Sequence, residues 1–276
     1  MKKQLTLLFV AAASLFVSAQ DCGETLSLMG STAKAGDPEA YTYLDKLRKE
    51  CPTENALIYR YGEILLKRKI AAVTTEVEKT AAKDDLFKLY DEYEMHFPDK
   101  ATGLNMDRGL VLFDNEMGTK DEIYNYFDKA FTSEKPAFDS PRALYAYFEL
   151  FVNKYNAGTY GIELQQVFDK YDDINLKIAE ENKKNSEEVD TFLVRLDNEE
   201  TLSSKEERRK SKLEGNLIDL SVVSENMDAI ILSLSTCERL IPFYEEAFDS
   251  NKNDEQWLQR AADRLEAKEC DEDPLF

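Results

Sequence analysis

Glycine and proline are scarce in this chain, ten and seven among 276 residues. An all-β protein needs tight turns at short intervals, and turns draw on those two residues, so the shortage argues against a sandwich or barrel. Histidine is scarcer still. The single His96 leaves one candidate base for any nucleophilic triad, and no Gly-x-Ser-x-Gly, glycine-rich phosphate loop or His-Glu-x-x-His occurs. His96 stands between Met95 and Phe97, just before Pro98. That is a place at a helix end, which the macrodipole favours for His, rather than a catalytic one. Positive charge is outnumbered, with 35 Lys and Arg against 55 Asp and Glu and a net charge of −20. A field of that sign repels phosphate backbones and anionic lipid, which argues against a nucleic-acid partner. Solubility alone also accounts for it.

What is present begins with a targeting signal. Lys2 and Lys3 precede an apolar run from Leu5 to Val17, and Val17-Ser18-Ala19 supplies a small-residue cleavage site. Residues 1–19 are therefore expected to leave, with the mature chain starting at Gln20 and carrying 33 basic against 55 acidic residues. The apolar run is short for a membrane span, no later segment is long and apolar enough for one, and no lipobox precedes Cys22. The expected compartment is periplasmic or extracellular. Export changes how the four cysteines read, because an even count in an oxidising compartment suggests disulfides. They form two local pairs, Cys22 with Cys51 and Cys237 with Cys270, each separated by about one helical hairpin. In an antiparallel hairpin the start of one helix lies beside the end of the other, within the roughly 5.5 Å Cα separation a disulfide needs. Four reduced, partly buried thiols are the competing reading. Zinc is opposed by the lack of Cys-x-x-Cys and of any nearby His.

Periodicity is helical nearly everywhere. Asp37-Pro38 reads as a cap with Pro at the first helical position, followed by Ala40, Leu44, Leu47 and Cys51 on one stripe. Pro52-Thr53 ends that helix, and the next carries Leu57, Tyr61, Ile64, Leu65 and Arg68. A stretch from about Ala71 leads into Leu86, Phe87, Tyr90, Tyr93 and Phe97 before Pro98. Thr119 to Glu122 forms a capping box opening Ile123, Phe127, Ala130 and Phe131. Ser140-Pro141 opens Leu144, Tyr147, Phe148, Phe151 and Tyr155, which Asn156-Ala157-Gly158 closes. A further helix starts near Tyr160-Gly161 and shows Leu164, Val167, Phe168, Tyr171, Ile174 and Ile178. From Glu180 to Lys212 charged residues dominate, with Ser186 and Ser204 as expected breaks, the latter boxed with Glu207. Leu213, Leu217, Leu220, Met227, Ile231 and Leu234 then follow a heptad, interrupted at Ser224. Both a coiled-coil segment and an ordinary bundle helix fit it; Gly215 and the short run favour the bundle. The fold class is all-α, with a soft boundary near Asn185: helical hairpins over 20–185, then over 186–276 a charged helix pair and a cysteine-bearing hairpin.

No chemistry-bearing constellation stands out. Asp249-x-Asn251-x-Asn253 copies the first ligand positions of an EF-hand loop, but Asp254 replaces its Gly and Arg260 its final Glu, so a polar interhelix loop is the better reading. Asp172/Asp173 and Glu187/Glu188 are carboxylate pairs of the kind glycosidases use, yet such pairs arise from composition and suit a solvated helix face. Arg208-Arg209-Lys210-Lys212 is explained by Glu206, Glu207 and Glu214. Trp257, the sole Trp, shares a stripe with Ala261 and Leu265 that suits a core. No catalytic residue, cofactor or metal is expected.

Paired helices rich in Tyr, Phe, Leu and Ala are the unit of an α-solenoid. The run Leu57-Ile58-Tyr59-Arg60-Tyr61-Gly62-Glu63-Ile64-Leu65, with Gly62 as the small residue for close helix approach, resembles a tetratricopeptide repeat. So do Tyr126 to Phe131 and Ala143 to Phe148. No strict 34-residue period runs through the chain: a closing Pro would be expected near position 86, and Pro98 comes twelve residues later, so the repeats are degenerate. The whole is similar to exported repeat-containing proteins of Gram-negative bacteria. Leu44-Asp45-Lys46-Leu47 and Lys49-Glu50-Cys51 also echo Ala262-Asp263-Arg264-Leu265 and Lys268-Glu269-Cys270, as though the cysteine hairpins were distant copies. The last six residues resemble the start of another helix, so further repeats are expected to follow. The resemblance implies a stacked scaffold whose concave face binds a protein or peptide; a helical module for a small ligand, glycan or metal ion is the alternative.

Overall fold

The computed structural model describes residues 21–158, 160–253 and 255–270, all helix and short connections with no strand among them. The signal-peptide reading of residues 1–19 and the helix start expected in 271–276 lie outside the described residues. The chain divides into two compact units at Ala137/Phe138. The boundary expected near Asn185 instead falls inside an unbroken helix.

In the first unit, helix α1 covers residues 21–35. It is followed by α2 (Glu39–Glu50), α3 (Leu57–Ala72), α4 (Glu76–His96), α5 (Leu104–Asp114), α6 (Lys120–Ser133) and a 3-10 turn at Lys135–Ala137. Caps explain the starts. The Glu39 N–H donates to Asp37 Oδ1 at 2.9 Å, and the Thr75 and Thr119 hydroxyls accept from the N–H groups of Glu78 and Glu122. Neighbours two apart in sequence lie side by side. Arg68 of α3 donates to the Ala33 carbonyl of α1 at 2.6 Å, and Lys67 pairs with Asp107 of α5 at 3.5 Å. On the even-numbered helices, Arg48 of α2 pairs with Asp85 and Glu92 of α4 at 2.6 and 2.7 Å, and Phe87 of α4 meets Tyr126 of α6 edge-on at 5.8 Å.

Close approach is set by glycine. A Cβ on Gly62 would come within 2.9 Å of both Leu44 and Leu89, and one on Gly109 within 2.5 Å of the Phe127 ring. Helix α5 has no counterpart among the predicted helices. Leu104, Met106, Val111 and Leu112 are buried, but so are Asn105, Arg108 and Gly109, so no polar face marks the period. Asn105 and the Gly103 N–H both donate to the Glu134 carboxylate, and Arg108 pairs with Asp91 at 2.6 Å while lying over Tyr90.

The second unit contains α7 (Pro141–Ala157), α8 (Leu164–Asp197), α9 (Ser204–Leu234), α10 (Cys237–Asn251) and α11 (Glu255–Glu266). Ser140 caps α7 with Pro141 behind it, and Gly158 closes the helix at φ 67°. Helix α8 does not break at Ser186, whose hydroxyl donates to the Asn182 carbonyl within the helix at 2.8 Å. It runs 34 residues, about 50 Å at the usual rise. The chain reverses at residues 198–203, and the capping box there joins Ser203 to Glu206, one position before the expected Ser204 and Glu207. Helices α8 and α9 are antiparallel: Glu188 pairs with Arg209, Asn175 faces Ser224, and Tyr171 bonds Asp228. Leu213, Leu220, Met227, Ile231 and Leu234 are buried as the heptad predicts, with Val223 among them and Leu217 half-buried.

Candidate functional site

Two clefts with aromatic and aliphatic lining open on the helical surface. The larger lies between α1 and α3. On α3 the buried side holds Ile58, Tyr59, Gly62, Leu65 and Leu66, which leaves Leu57 39% and Ile64 46% exposed. Thus the stripe of Leu57, Tyr61, Ile64, Leu65 and Arg68 read from the sequence is mostly an outward face, and only Leu65 among those five residues belongs to the core.

Helix α1 completes the groove with Leu26, Gly30 and the hydroxyls of Ser27 and Ser31, enclosing about 450 Å³ with Leu57 and Tyr61. Gly30 is needed there, since a Cβ would sit 3.3 Å from the Tyr61 ring. The Cys22–Cys51 disulfide, Cα atoms 6.0 Å apart, ties the start of α1 to the end of α2. Arg68 holds the other end of α1 through the Ala33 carbonyl. Charge on the α3 side of the groove opposes that of the chain, while α1 carries Asp21 and Glu24. Helix α3 carries Arg60, Lys67, Arg68 and Lys69 against Glu63 alone, and Lys34 lines the groove from α1. Lys67 is engaged with Glu63 and Asp107, whereas Arg60 and Arg68 are exposed on the side of Leu57 and Ile64.

The second surface is an apolar cleft of about 220 Å³ between α10 and α11, lined by Tyr244, Phe248, Trp257, Leu258, Ala261 and Leu265. Trp257, Ala261 and Leu265 are buried on the stripe expected of them. Tyr244 meets Trp257 edge-on at 5.5 Å. Cys237 and Cys270 stand 5.6 Å apart at Cα and close this hairpin. Both cysteine pairs are those the hairpin spacing predicts; Cys22 lies inside α1 rather than before it, and Cys237 opens α10 as expected.

Perturbed titrations belong to the packing. Burial, helped by the Glu92 carboxylate, pushes the Tyr59 phenol up to about 12. Burial and the Glu63 carboxylate raise Tyr90 further, and burial with the Asp228 bond puts Tyr171 at about 12. Tyr59 also donates to the Pro52 carbonyl and stacks on Tyr93 at 5.1 Å. Hydrogen bonds from Arg195 and Ser203 hold Glu206 down at about 2.

The remaining residues singled out from the sequence are dispersed. His96 ends α4 with its ring 6.3 Å from Tyr59. Asp172 pairs with Arg264 at 3.4 Å, and Glu188 takes both bonds of the Arg209 fork at 2.7 Å. Lys210 pairs with Glu214, while Glu206 turns to Arg195 rather than to the basic cluster. Asp249 pairs with Lys252 at 3.0 Å; Asp254 and the side chains of Asn251 and Arg260 lie outside the described residues. No group of three His, Cys, Asp or Glu able to hold a metal occurs among the described residues. No helix among them is long and apolar enough to cross a membrane. Comparison with family models, curated proteins and solved structures finds no match for the chain.

Proposed function

We propose that this protein is an exported, tetratricopeptide-repeat-like scaffold that binds a protein or peptide and performs no catalysis. The observation that carries this reading is the α1/α3 groove: apolar at its base and lined by hydroxyls and Lys34, with Arg60 and Arg68 exposed on the same side of α3 in a strongly acidic protein. Apolar side chains gain from covering Leu57, Tyr61 and Ile64, and a neighbouring carboxylate gains a charge-assisted bond to either arginine. The partner segment is therefore apolar with acidic flanks. The reading as a solenoid draws support from the side-by-side placement of α1, α3 and α5 and of α2, α4 and α6, each pair in contact across a hairpin stack. Export draws support from the signal-like residues 1–19 and from two disulfides, which persist in oxidising compartments. Absence of catalysis draws support from the perturbed groups: the Tyr90 and Tyr171 hydroxyls are bonded between helices, that of Tyr59 to the Pro52 carbonyl before its own helix, and none of them lines the groove.

Selection from a displayed peptide library against the intact chain tests the reading. Sequences alternating Leu, Ile or Phe with Asp or Glu should be enriched, and Leu57→Asp with Ile64→Asp should abolish their binding. Enrichment of basic peptides, or binding untouched by that pair of substitutions, would remove the groove from consideration.

A further inference from the structure

Helix α9 is apolar on two opposite sides, and the fold covers one. Leu213, Leu220, Val223, Met227, Ile231 and Leu234 face inward. On the reverse side Ile218, Val222, Ala229 and Leu232 follow one another at spacings of four, seven and three, with Glu225 filling the gap. Those intervals are a second heptad seam, about 21 Å long at the usual rise. Ile218 is 65% exposed, Val222 48% and Leu232 41%. A helix apolar on both sides is one that gains by being buried on both.

The charge along this seam selects what covers it. Between Gly215 and Leu234 there is no Lys or Arg, and the acids are Asp219, Glu225 and Asp228. Asp228 is taken by Tyr171, while the contact shown for Glu225 is the Ser221 hydroxyl at 3.4 Å. A second copy of α9 is a poor occupant. Antiparallel pairing that sets Ile218 against Leu232 puts Glu225 opposite Glu225, and a shift of one heptad sets Glu225 against Ile218. Like charges in a seam are costly, and an apolar residue opposite a carboxylate strands it. Anionic membranes are repelled by the same acids.

We propose that the outer face of α9 docks an amphipathic helix of a partner protein, with aliphatic side chains at its seam positions and a Lys or Arg placed to meet Glu225. This is a helix-in-groove interaction, read as anchors at successive turns. It is independent of the α1/α3 groove, which takes a segment of opposite charge.

Two labelled synthetic helices of ~18 residues, long enough to hold helix when docked, serve as probes. Both carry Leu and Ile at the seam; one has Lys at the central position, the other Glu. Fluorescence anisotropy with the intact chain should show saturable binding of the Lys peptide and at least about tenfold weaker binding of the Glu peptide. Ile218→Asp with Val222→Asp should abolish binding with the circular dichroism unchanged, and Glu225→Lys should invert the preference. Equal affinity for the two peptides, or binding that survives the double substitution, overturns the proposal. So does self-association removed by Ile218→Asp, or uptake of the chain by phosphatidylglycerol vesicles that the same substitution removes.

Discussion

The two units build helical structure from different materials. In the first, helices of 11 to 21 residues beyond α1 meet through glycine and aromatic rings, with Gly62 against Leu44 and Leu89 and Gly109 against Phe127. In the second, helices of 34 and 31 residues run antiparallel, and the buried side of α8 includes Lys177, Glu181 and Asn185. Lys177 pairs with Glu181 at 2.8 Å, both almost fully buried. Short helices that interlock need shape complementarity, because each contact is small. A long pair could slide by a turn and still bury leucines, so polar groups that must meet across it, Tyr171 with Asp228 and Asn175 with Ser224, serve to fix register. The contrast teaches that one composition supports two ways of specifying a fold.

The largest expected effect lies in the first unit. Phe127 is fully buried under Gly109, and Phe127→Ala should cost about 3–5 kcal/mol by urea unfolding, the range for a core aromatic. Amide exchange should quicken chiefly in α5 and α6; equal loss of protection in α8 and α9 would break the distinction between the units. In the second, Lys177→Met leaves Glu181 buried beside Lys184 alone and should cost about 3 kcal/mol. Lys177→Met with Glu181→Leu should recover most of that, because the pair lies within α8 and neither charge is then left buried alone. A double variant as unstable as the single one would show that the stranded Glu181 charge is not the source of the loss.

The cysteine hairpins cut across the contrast. In each, a residue near the start of the first helix is tied to one just past the second, and Cys51 and Cys270 donate their N–H groups to Leu47 and Leu265 alike. Opening either loop, with separations of 29 and 33 residues, should therefore cost a similar amount, about 3–4 kcal/mol on the chain-entropy model. Paired serine substitutions at each bridge check it, and a large inequality would show that the hairpins only look alike.

The smallest effect is acid fraying of the α8/α9 turn. Glu206 has its pKa held near 2 by Arg195 and Ser203, below its ordinary 4.5. Its stabilisation is complete above about pH 4.5 and is lost as pH falls toward about 2. Amide exchange at residues 204–207 should accelerate through that window, and Ser203→Ala should raise the pH at which it begins. An identical profile in the variant would show the box to be inert.

Legibility in the sequence followed locality. Thr119, Ser140 and Gly158 act through their own neighbours, and they sit where the caps predict. The cysteine pairs were readable because a hairpin is itself a local object. Helix α5 was not, since Asn105 and Arg108 are buried by partners 29 and 17 residues away. Ser186 reads as a break only to someone who cannot see its hydroxyl satisfied by the preceding turn. The α1/α3 groove left little trace, because Gly23, Ser27, Gly30 and Ser31 acquire meaning only beside Tyr61. The apolar stripe of α3 was visible, but which side of the helix its neighbours would cover was not.

The central claim is that the α1/α3 groove holds a partner segment. A photo-crosslinking residue at Ile64, within the exposed stripe, should yield one discrete product in the cells that make the protein, and an acidic apolar peptide should compete it away. The same residue at Val77, 81% exposed on α4, should yield none. Equal labelling from both positions, or no product from Ile64, would contradict the account.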